Sequence, residues 1–463
     1  MCFFTSLLAR RRRHVKLDPL TRPVTGYRDI ERLLLSRVRE DPRPYAARGA
    51  IAGKAVRALL ARVGDPQQAL RFLHVAGSKG KGSVALLAEC LLRAAGEAVG
   101  TYTSPHLQRW NERIRVHGAP VDDTTLAAAL ETLRPHVAAL DAHGDTLAPS
   151  FFDLVTAAGL LVFARSHCRV VVLEAGLGGL YDATNVVTPA ACCISSIELE
   201  HTDKLGPTLA DVAAHKAGII KTGAAVVTAA LPAPAQAVIA ARCAAVATPE
   251  LRLDRDWWLQ SQPGSAASRR VQYREAQALG GYRCEFTLHH PAAHMAINAG
   301  LAIALLRAAG FDTPAHALAD CPLPGRAQVL RERPWIVIDG AHTPASLQAL
   351  AGTLDALPAA RRRFLVSATH GKSLAALAAL VDGCDVLVVT RADASRSAPP
   401  AAIARELAGL AAHVMPRVIE DPRAALAALR ESLDEDCVLC VCGSMYLAGV
   451  ALDVLDAAHG RQA

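Results

Sequence analysis

The chain has 463 residues, too many for one ordinary core, so two domains are expected. Hydrophobic residues make up 52% and charged residues 20%, as in a well-packed globular protein, and no apolar run approaches the ~20 residues of a membrane helix. The formal net charge of +7 suits small anionic ligands. Lysines and arginines are not clustered with aromatics as nucleic-acid binding requires.

Met1–Ala9 is mildly apolar, but the arginines Arg10–Arg13 come after it rather than before, which argues against a secretory signal and for a basic tail expected to be disordered. Two helices are expected over Tyr27–Val38 and Gly53–Val63, with Gly64-Asp65-Pro66 as a stop. Next comes the most informative stretch, His74-Val-Ala-Gly-Ser-Lys-Gly-Lys-Gly-Ser83, between the apolar run ending at Leu73 and a helix-like Val84-Ala-Leu-Leu-Ala-Glu-Cys-Leu-Leu. Strand, glycine-rich turn, lysine, serine, helix is the order that builds a phosphate cradle from converging N–H groups, a point charge and a helix dipole. The spacing departs from the usual Walker pattern, since only two residues separate Gly77 from Gly80-Lys81 and Gly82 precedes Ser83.

Val170–Glu174 reads as a parallel strand buried on both faces, and Ala191–Ile197 and Ala224–Ala229 as two more. Arg252–Phe286, with two of the four tryptophans, reads as an antiparallel excursion. Proline density rises at Cys321-Pro-Leu-Pro-Gly325, and a second alternation then begins with strands at Trp335–Asp339, Phe364–Ser367, Val386–Thr390 and Val438–Cys442. This pattern predicts an α/β protein: a P-loop-type N-terminal domain over 1–321 and a smaller Rossmann-like α/β domain over 322–463. Of the 12 cysteines, those at 192, 193, 437, 440 and 442 lie in strand-like runs. Cys437 and Cys440 have metal-ligand spacing without a matching second pair, so free buried thiols in a reducing compartment are expected.

Glu174 ends a strand beside the phosphate loop, where a carboxylate can hold Mg²⁺, and the glycines behind it permit close approach. His201, after the Ala191 strand, and Lys216 carry little signal alone. Asp339-Gly-Ala-His342 is a polar turn opening a helix, able to meet ribose or phosphate.

Together these segments resemble folylpolyglutamate synthase/dihydrofolate synthase, a branch of the Mur ligase superfamily, from about Tyr27 to Gly449. Thr103-Ser-Pro-His-Leu followed by Asn111-Glu-Arg-Ile is similar to the family's loop beside the active site. Glu174-Ala-Gly-Leu-Gly-Gly-Leu-Tyr-Asp-Ala-Thr-Asn185, His201-Thr-Asp-Lys-Leu-Gly and His215-Lys-Ala-Gly-Ile-Ile-Lys resemble further signatures, as do Asp339-Gly-Ala-His and Gly443-Ser-Met-Tyr-Leu. The resemblance implies an ATP- and Mg²⁺-dependent ligase joining L-glutamate to dihydropteroate, folylglutamates or both. It implies Ser104, Glu174 and His201 as metal ligands, and Gly80, Lys81, Gly82, Ser83, Asn298, Arg326 and Asp339 as ATP contacts. It implies Lys216 as a carbamylated lysine, His342 near the γ-phosphate, and Phe152, Asp153, Tyr181, Asp182 and Ala183 on the pterin side. The implied enzyme is a cytoplasmic monomer acting on small molecules, without nucleic-acid or membrane partners.

Several positions depart from the family pattern. Leu180 replaces a frequent Arg, Met295 a Gln, Thr343 an Asn, Gln328 a Glu, and His370-Gly-Lys-Ser a more acidic loop. None removes an implied metal or phosphate ligand. Two rival readings are another Mur-superfamily amino-acid ligase and a catalytically silent nucleotide-binding regulator; the Tyr-Asp-Ala-Thr-Asn and Thr-Ser-Pro-His details favour folate over the first, and the intact ligand set argues against the second.

Overall fold

The apolar run leading into the glycine-rich turn forms the middle of a sheet, where strands covered on both faces must be apolar throughout. The computed structural model describes residues 19–38, 53–144, 147–265, 267–393, 397–411 and 413–459; the basic tail at Arg10–Arg13 lies outside them. Strands β1 (Arg71–Ala76), β2 (Val99–Tyr102), β3 (Ile114–Val116), β4 (Ala119–Pro120), β5 (Val170–Glu174), β6 (Pro189–Ile194), β7 (Ala225–Thr228) and β8 (Glu250–Arg252) pair in the order β4-β3-β2-β5-β1-β6-β7-β8. Six of these run parallel; β3 and β4 turn back at one edge.

Every residue of β5 and all but Arg71 of β1 are buried. On one face the helices Lys81–Ala94 and Ala293–Ala308 pack together over Leu73, Val75 and Val172. On the other, helices Tyr27–Ser36, Lys54–Ala61, Asp123–Asp141 and Phe151–Arg165 cover Phe72, Val171 and Leu173. Each such side chain, fully buried, contributes about 1.5–3 kcal/mol. The packing is close: a Cβ on Gly100 in β2 would lie 2.5 Å from the Phe163 ring. β6 ends at Ile194, short of the Ile197 read from the sequence, because Ser195 and Ser196 turn their hydroxyls toward the phosphate loop.

The antiparallel excursion is a three-stranded sheet, β9 (Trp257–Pro263), β10 (Arg269–Glu275) and β11 (Arg283–Leu288), ordered β11-β10-β9. The second large sheet comprises β12 (Gln328–Glu332), β13 (Trp335–Ile338), β14 (Arg361–Val366), β15 (Val386–Val389), β16 (Arg417–Val418) and β17 (Cys437–Cys442), ordered β12-β13-β17-β14-β15-β16 and parallel except for β12. Its two faces carry separate apolar clusters. The structure is thus a large parallel-rich α/β unit followed by a smaller one.

The thiol expectation needs one correction. Cys192, Cys193, Cys437, Cys440 and Cys442 are free and buried, but Cys90 and Cys321 are joined by a disulfide with Cα atoms 6.1 Å apart. Neither lies in a strand: Cys90 is on the helix Lys81–Ala94 and Cys321 opens the proline-rich segment before the second unit. Among the described residues no helix is long and apolar enough to cross a membrane.

Candidate active site

β1 delivers its chain into Gly77–Gly80, and the helix Lys81–Ala94 leaves from it. Gly80 caps this helix at φ +82°, a left-handed conformation natural to glycine. The loop is laced to the segment after β6: Ser78 N–H donates to Ser196 O at 2.8 Å, Lys79 N–H to Ser196 Oγ at 2.8 Å, and Glu198 N–H to Ser78 Oγ at 2.9 Å. A Cβ on Gly77 would collide with Ser195 Oγ, which is why this position is bare. Lys81 Nζ folds back over the loop, donating to Gly77 O at 2.7 Å and Ser78 O at 3.3 Å. Its charge therefore lies over the cradle that the backbone forms.

The first helical turn is where distant segments meet. A Cβ on Gly80 would lie 2.6 Å from Asn298 Oδ1, and one on Gly82 would lie 2.5 Å from Arg326 Nη2 and 3.1 Å from Glu174 Oε2. Gly80, Lys81, Gly82 and the buried Ser83 thus share one place with Asn298, Glu174 and Arg326. Met295 places its sulfur 3.5 Å from Asn298 Nδ2 and is itself buried.

Glu174 is only 3% exposed, and Ser104 N–H donates to its Oε2 at 2.9 Å. Burial raises its pKa, while Lys81, Arg326 and Arg113 pull it back down. Ser104 and Glu174 are therefore together. His201, in a left-handed conformation at φ +49°, is exposed on the loop beyond β6. Among the described residues no three His, Cys, Asp or Glu side chains cluster closely enough to hold a metal.

Lys216, on the helix Leu209–Ala217, is 1% exposed; its Nζ donates to Gly77 O at 2.8 Å and to Glu200 Oε1 at 3.1 Å. Burial, then the nearby Lys81 charge, lowers its pKa to about 8. Burial alone would raise Glu200, but Lys216, Lys81 and Lys79 together hold it down to about 2. The same three lysines also act on Glu198, so the phosphate loop is flanked by a mixed cluster of lysines and carboxylates.

In the second unit the Asp339 carboxylate accepts N–H bonds from Ala327 at 2.6 Å and Ala341 at 2.5 Å, joining the end of β13 to the segment that carries Arg326. Burial pushes its pKa up to about 6. His342 is exposed, with Nδ1 2.7 Å from Gly340 O. Its ring is partly withdrawn from water, which lowers its pKa ahead of the charges of Lys79 and Lys372, while the Gly340 carbonyl and Glu200 act the other way.

The residues expected around a pterin make contacts within the fold. Asp153 accepts from Ser150 N–H at 2.9 Å and Ser150 Oγ at 2.6 Å, capping the helix Phe151–Arg165. Asp182 accepts from Leu177 N–H at 2.8 Å, Thr184 N–H at 3.0 Å and Thr184 Oγ1 at 2.5 Å. Phe152 meets Tyr102 edge-on at 6.2 Å and lies against Gly176; Tyr181 meets His215 at 5.4 Å; Ala183 is buried. Sequence reasoning missed Glu200, one residue before the histidine it singled out, and Arg113, whose motif was noted without a role. Arg113 is buried, its Nε donating to His106 Nδ1 at 2.9 Å.

A phosphate loop at the end of a central parallel strand, joined to a second open α/β unit, defines a Mur-ligase-type protein. A sequence profile described as the Mur ligase, glutamate ligase domain matches residues 325–445. A probable bifunctional folylpolyglutamate synthase/dihydropteroate synthase of Halobacterium salinarum is 35% identical over 401 residues, covering 85% of this chain and 48% of that protein. The chain thus spans about half the length of that relative. A dihydrofolate synthase/folylpolyglutamate synthase of Bacillus subtilis is 33% identical over 340 residues, covering 71% of this chain and 76% of that protein. Among solved structures, a bifunctional folylpolyglutamate synthase/dihydrofolate synthase of Yersinia pestis complexed with AMPPNP and Mn ion superposes with a TM-score of 0.78 at 26% identity, covering 93% of this chain and 98% of that one. The chain belongs to the folylpolyglutamate synthase/dihydrofolate synthase family.

Proposed function

We propose that this chain is an ATP- and Mg²⁺-dependent ligase that adds L-glutamate to dihydropteroate, folylglutamates or both. The observation carrying the proposal is the meeting of Glu174, from the first sheet, and Arg326, from the segment leading into the second, over the bare Gly82 at the start of the Lys81 helix. In the proposed reaction the acceptor carboxylate attacks the γ-phosphorus, ADP leaves, and the amine of glutamate displaces phosphate from the acyl phosphate to form an amide. The chain's part is to position and to neutralise charge. Loop N–H groups and Ser83 hold the phosphates, Lys81 swings from Gly77 O onto them, and Asn298, Arg326 and Asp339 shape the nucleotide's surroundings. His342 reaches the γ-phosphate from the second unit.

The donor types suit a hard divalent cation: a buried carboxylate under desolvation stress at Glu174, the residue Ser104 whose backbone N–H already donates to that carboxylate, and the imidazole of His201. Bound there, Mg²⁺ supplies positive charge to the transferring phosphoryl group. Lys216, with its amine loosened from its proton, is suited to carbamylation, which turns it into an anion facing the same site. Phe152, Tyr181, Asp182, Ala183 and Asp153 form the acceptor side.

We further propose a division between units at 321–322 and a cytoplasmic monomer. Phosphate release from ATP, measured with dihydropteroate or a reduced folylglutamate and with or without L-glutamate, tests the reading. Release that requires both an acceptor and glutamate supports it and identifies the acceptor. No release with either acceptor overturns it in favour of a silent regulator or a ligase of other peptides.

A further inference from the structure

The loop Thr103–Arg109, which presents Ser104 to Glu174, is tied down along its length. The Glu112 carboxylate accepts three backbone N–H bonds, from Leu107 at 2.7 Å, Gln108 at 2.8 Å and Arg109 at 2.6 Å. Arg113 holds His106 through its side chain, and its carbonyl accepts from Thr103 N–H at 3.0 Å. Charge-assisted bonds of this kind are the strong ones, so the loop moves as one piece.

At its tip Leu107 leaves its own unit. It packs against the apolar cluster of the second unit, which includes Ile338, Leu447 and Ala448. Its socket is lined by glycine on two sides. A Cβ on Gly325 would lie 3.2 Å from Leu107 Cδ2, and a Cβ on Gly449 would collide with the Leu107 carbonyl oxygen. Gln108 Nε2 closes the contact by donating to Gly449 O at 3.0 Å. Gly449 lies on the helix Met445–His459, and Gly443, two residues before that helix, donates its N–H to Ala341 O at 2.8 Å. Ala341 is the neighbour of His342. The socket is thus continuous with the turn that carries His342, and the knob with the loop that carries Ser104.

We propose that Leu107 is a positioning residue: its seating between Gly325 and Gly449 couples docking of the second unit to the placement of Ser104 beside Glu174. This rests on the ligase reading above. Seating of the knob fixes the stiff loop, and with it the Ser104 atoms three residues away. With the knob removed, nucleotide still binds the first unit, but Ser104 and His342 are no longer set together. Misplacement of reacting groups by about 1 Å costs up to about a hundredfold in rate.

The test uses the full chain with Leu107→Ala, Leu107→Met and Gly449→Ala. Expected for Leu107→Ala is a fall in kcat of between about tenfold and a hundredfold with the ADP Kd within about twofold, and for Leu107→Met recovery to within about threefold of the parent. A kcat within about twofold of the parent, a parallel loss of ADP affinity, or a Met variant no better than Ala would overturn the proposal. A second readout does not depend on ligation. Gly449→Ala should speed hydrogen exchange at the amides of residues 104–109, in the other unit, while β1 and β5 stay protected. Unchanged exchange there overturns the coupling. Should the parent chain show no glutamate-dependent turnover, the ligase reading fails, and the exchange measurement still decides the coupling.

Discussion

Replacing Lys216 by Met should separate stability from activity. The methionine keeps an unbranched side chain of nearly the same length, with a thioether sulfur at the δ position, and removes the amine. In the folded protein that amine has a pKa of about 8, against 10.5 for a free lysine, chiefly because burial disfavours the ammonium. Keeping the proton on at neutral pH therefore costs about 3 kcal/mol of stability. The sign follows from proton binding: between about pH 8 and 10.5 the unfolded chain holds this proton and the folded one does not. The cost is thus fully present below about pH 8 and is lifted as pH rises toward 10.5. Losing the bond to Gly77 O is offset by Lys81, which donates to the same oxygen, and Glu200 keeps Lys79 at 3.5 Å. Lys216→Met should then melt at or above the parent's temperature at pH 7, and its stability should lack the rise above pH 8. Its ligation should nearly vanish. The same shift explains why this lysine suits carbamylation: at pH 7 about one amine in ten is neutral, against about one in three thousand at the free-lysine value. Attack of that neutral amine on CO₂ forms an N–C bond and releases one proton. The resulting anion would face Glu200, so the Lys81 and Lys79 charges and a bound cation must offset the repulsion. The assays are thermal melting across pH, ligation with and without bicarbonate, and intact mass. A variant that ligates at near the parent rate, or one that unfolds at neutral pH, would refute the reasoning. In Lys216→Ala, a small added carboxylate should restore part of the lost turnover.

Three further outcomes are expected. Glu174→Gln preserves shape and a carbonyl for Ser104 N–H but removes the charge, so turnover should fall by about 10²–10³ without a lower melting temperature; retained turnover in steady-state assays would exclude Glu174 as the metal carboxylate. His342→Ala should depress kcat far more than nucleotide affinity, because His342 follows β13 in the second unit whereas the phosphate loop belongs to the first; equilibrium nucleotide binding beside kcat measures this, and a loss of affinity alone would make it a ground-state contact. Asp182→Asn weakens three accepted hydrogen bonds that hold Leu177 and Thr184, so stability should drop by about 2 kcal/mol in denaturant titration. A raised KM for the acceptor at unchanged stability would instead make Asp182 chiefly a substrate contact.

The phosphate loop was legible in the sequence because its chemistry is local. Gly77, Gly80 and Gly82 are bare for reasons the structure supplies separately: a serine hydroxyl, an asparagine and an arginine approach them. The sequence shows only that all three positions lack side chains. The strands were legible because β1, β5 and β17 are buried on both faces, which leaves an unbroken apolar run. Lys216 was not, since a buried lysine on the helix Leu209–Ala217 has the same spacing as an exposed one. Its meaning comes from Glu200 and Gly77, 16 and 139 residues away. The Cys90–Cys321 pair escaped for the same reason, being 231 residues apart with no shared pattern. Resemblance supplied roles for Ser104, His201 and His342 that no spacing rule assigns, but it was silent on Leu107, where an apolar residue in an otherwise polar loop finds its partners only when the second unit folds against it. Groups that act on charge leave traces in residue type; groups that act by fitting leave theirs only in the packing, as the glycines at 325 and 449 do.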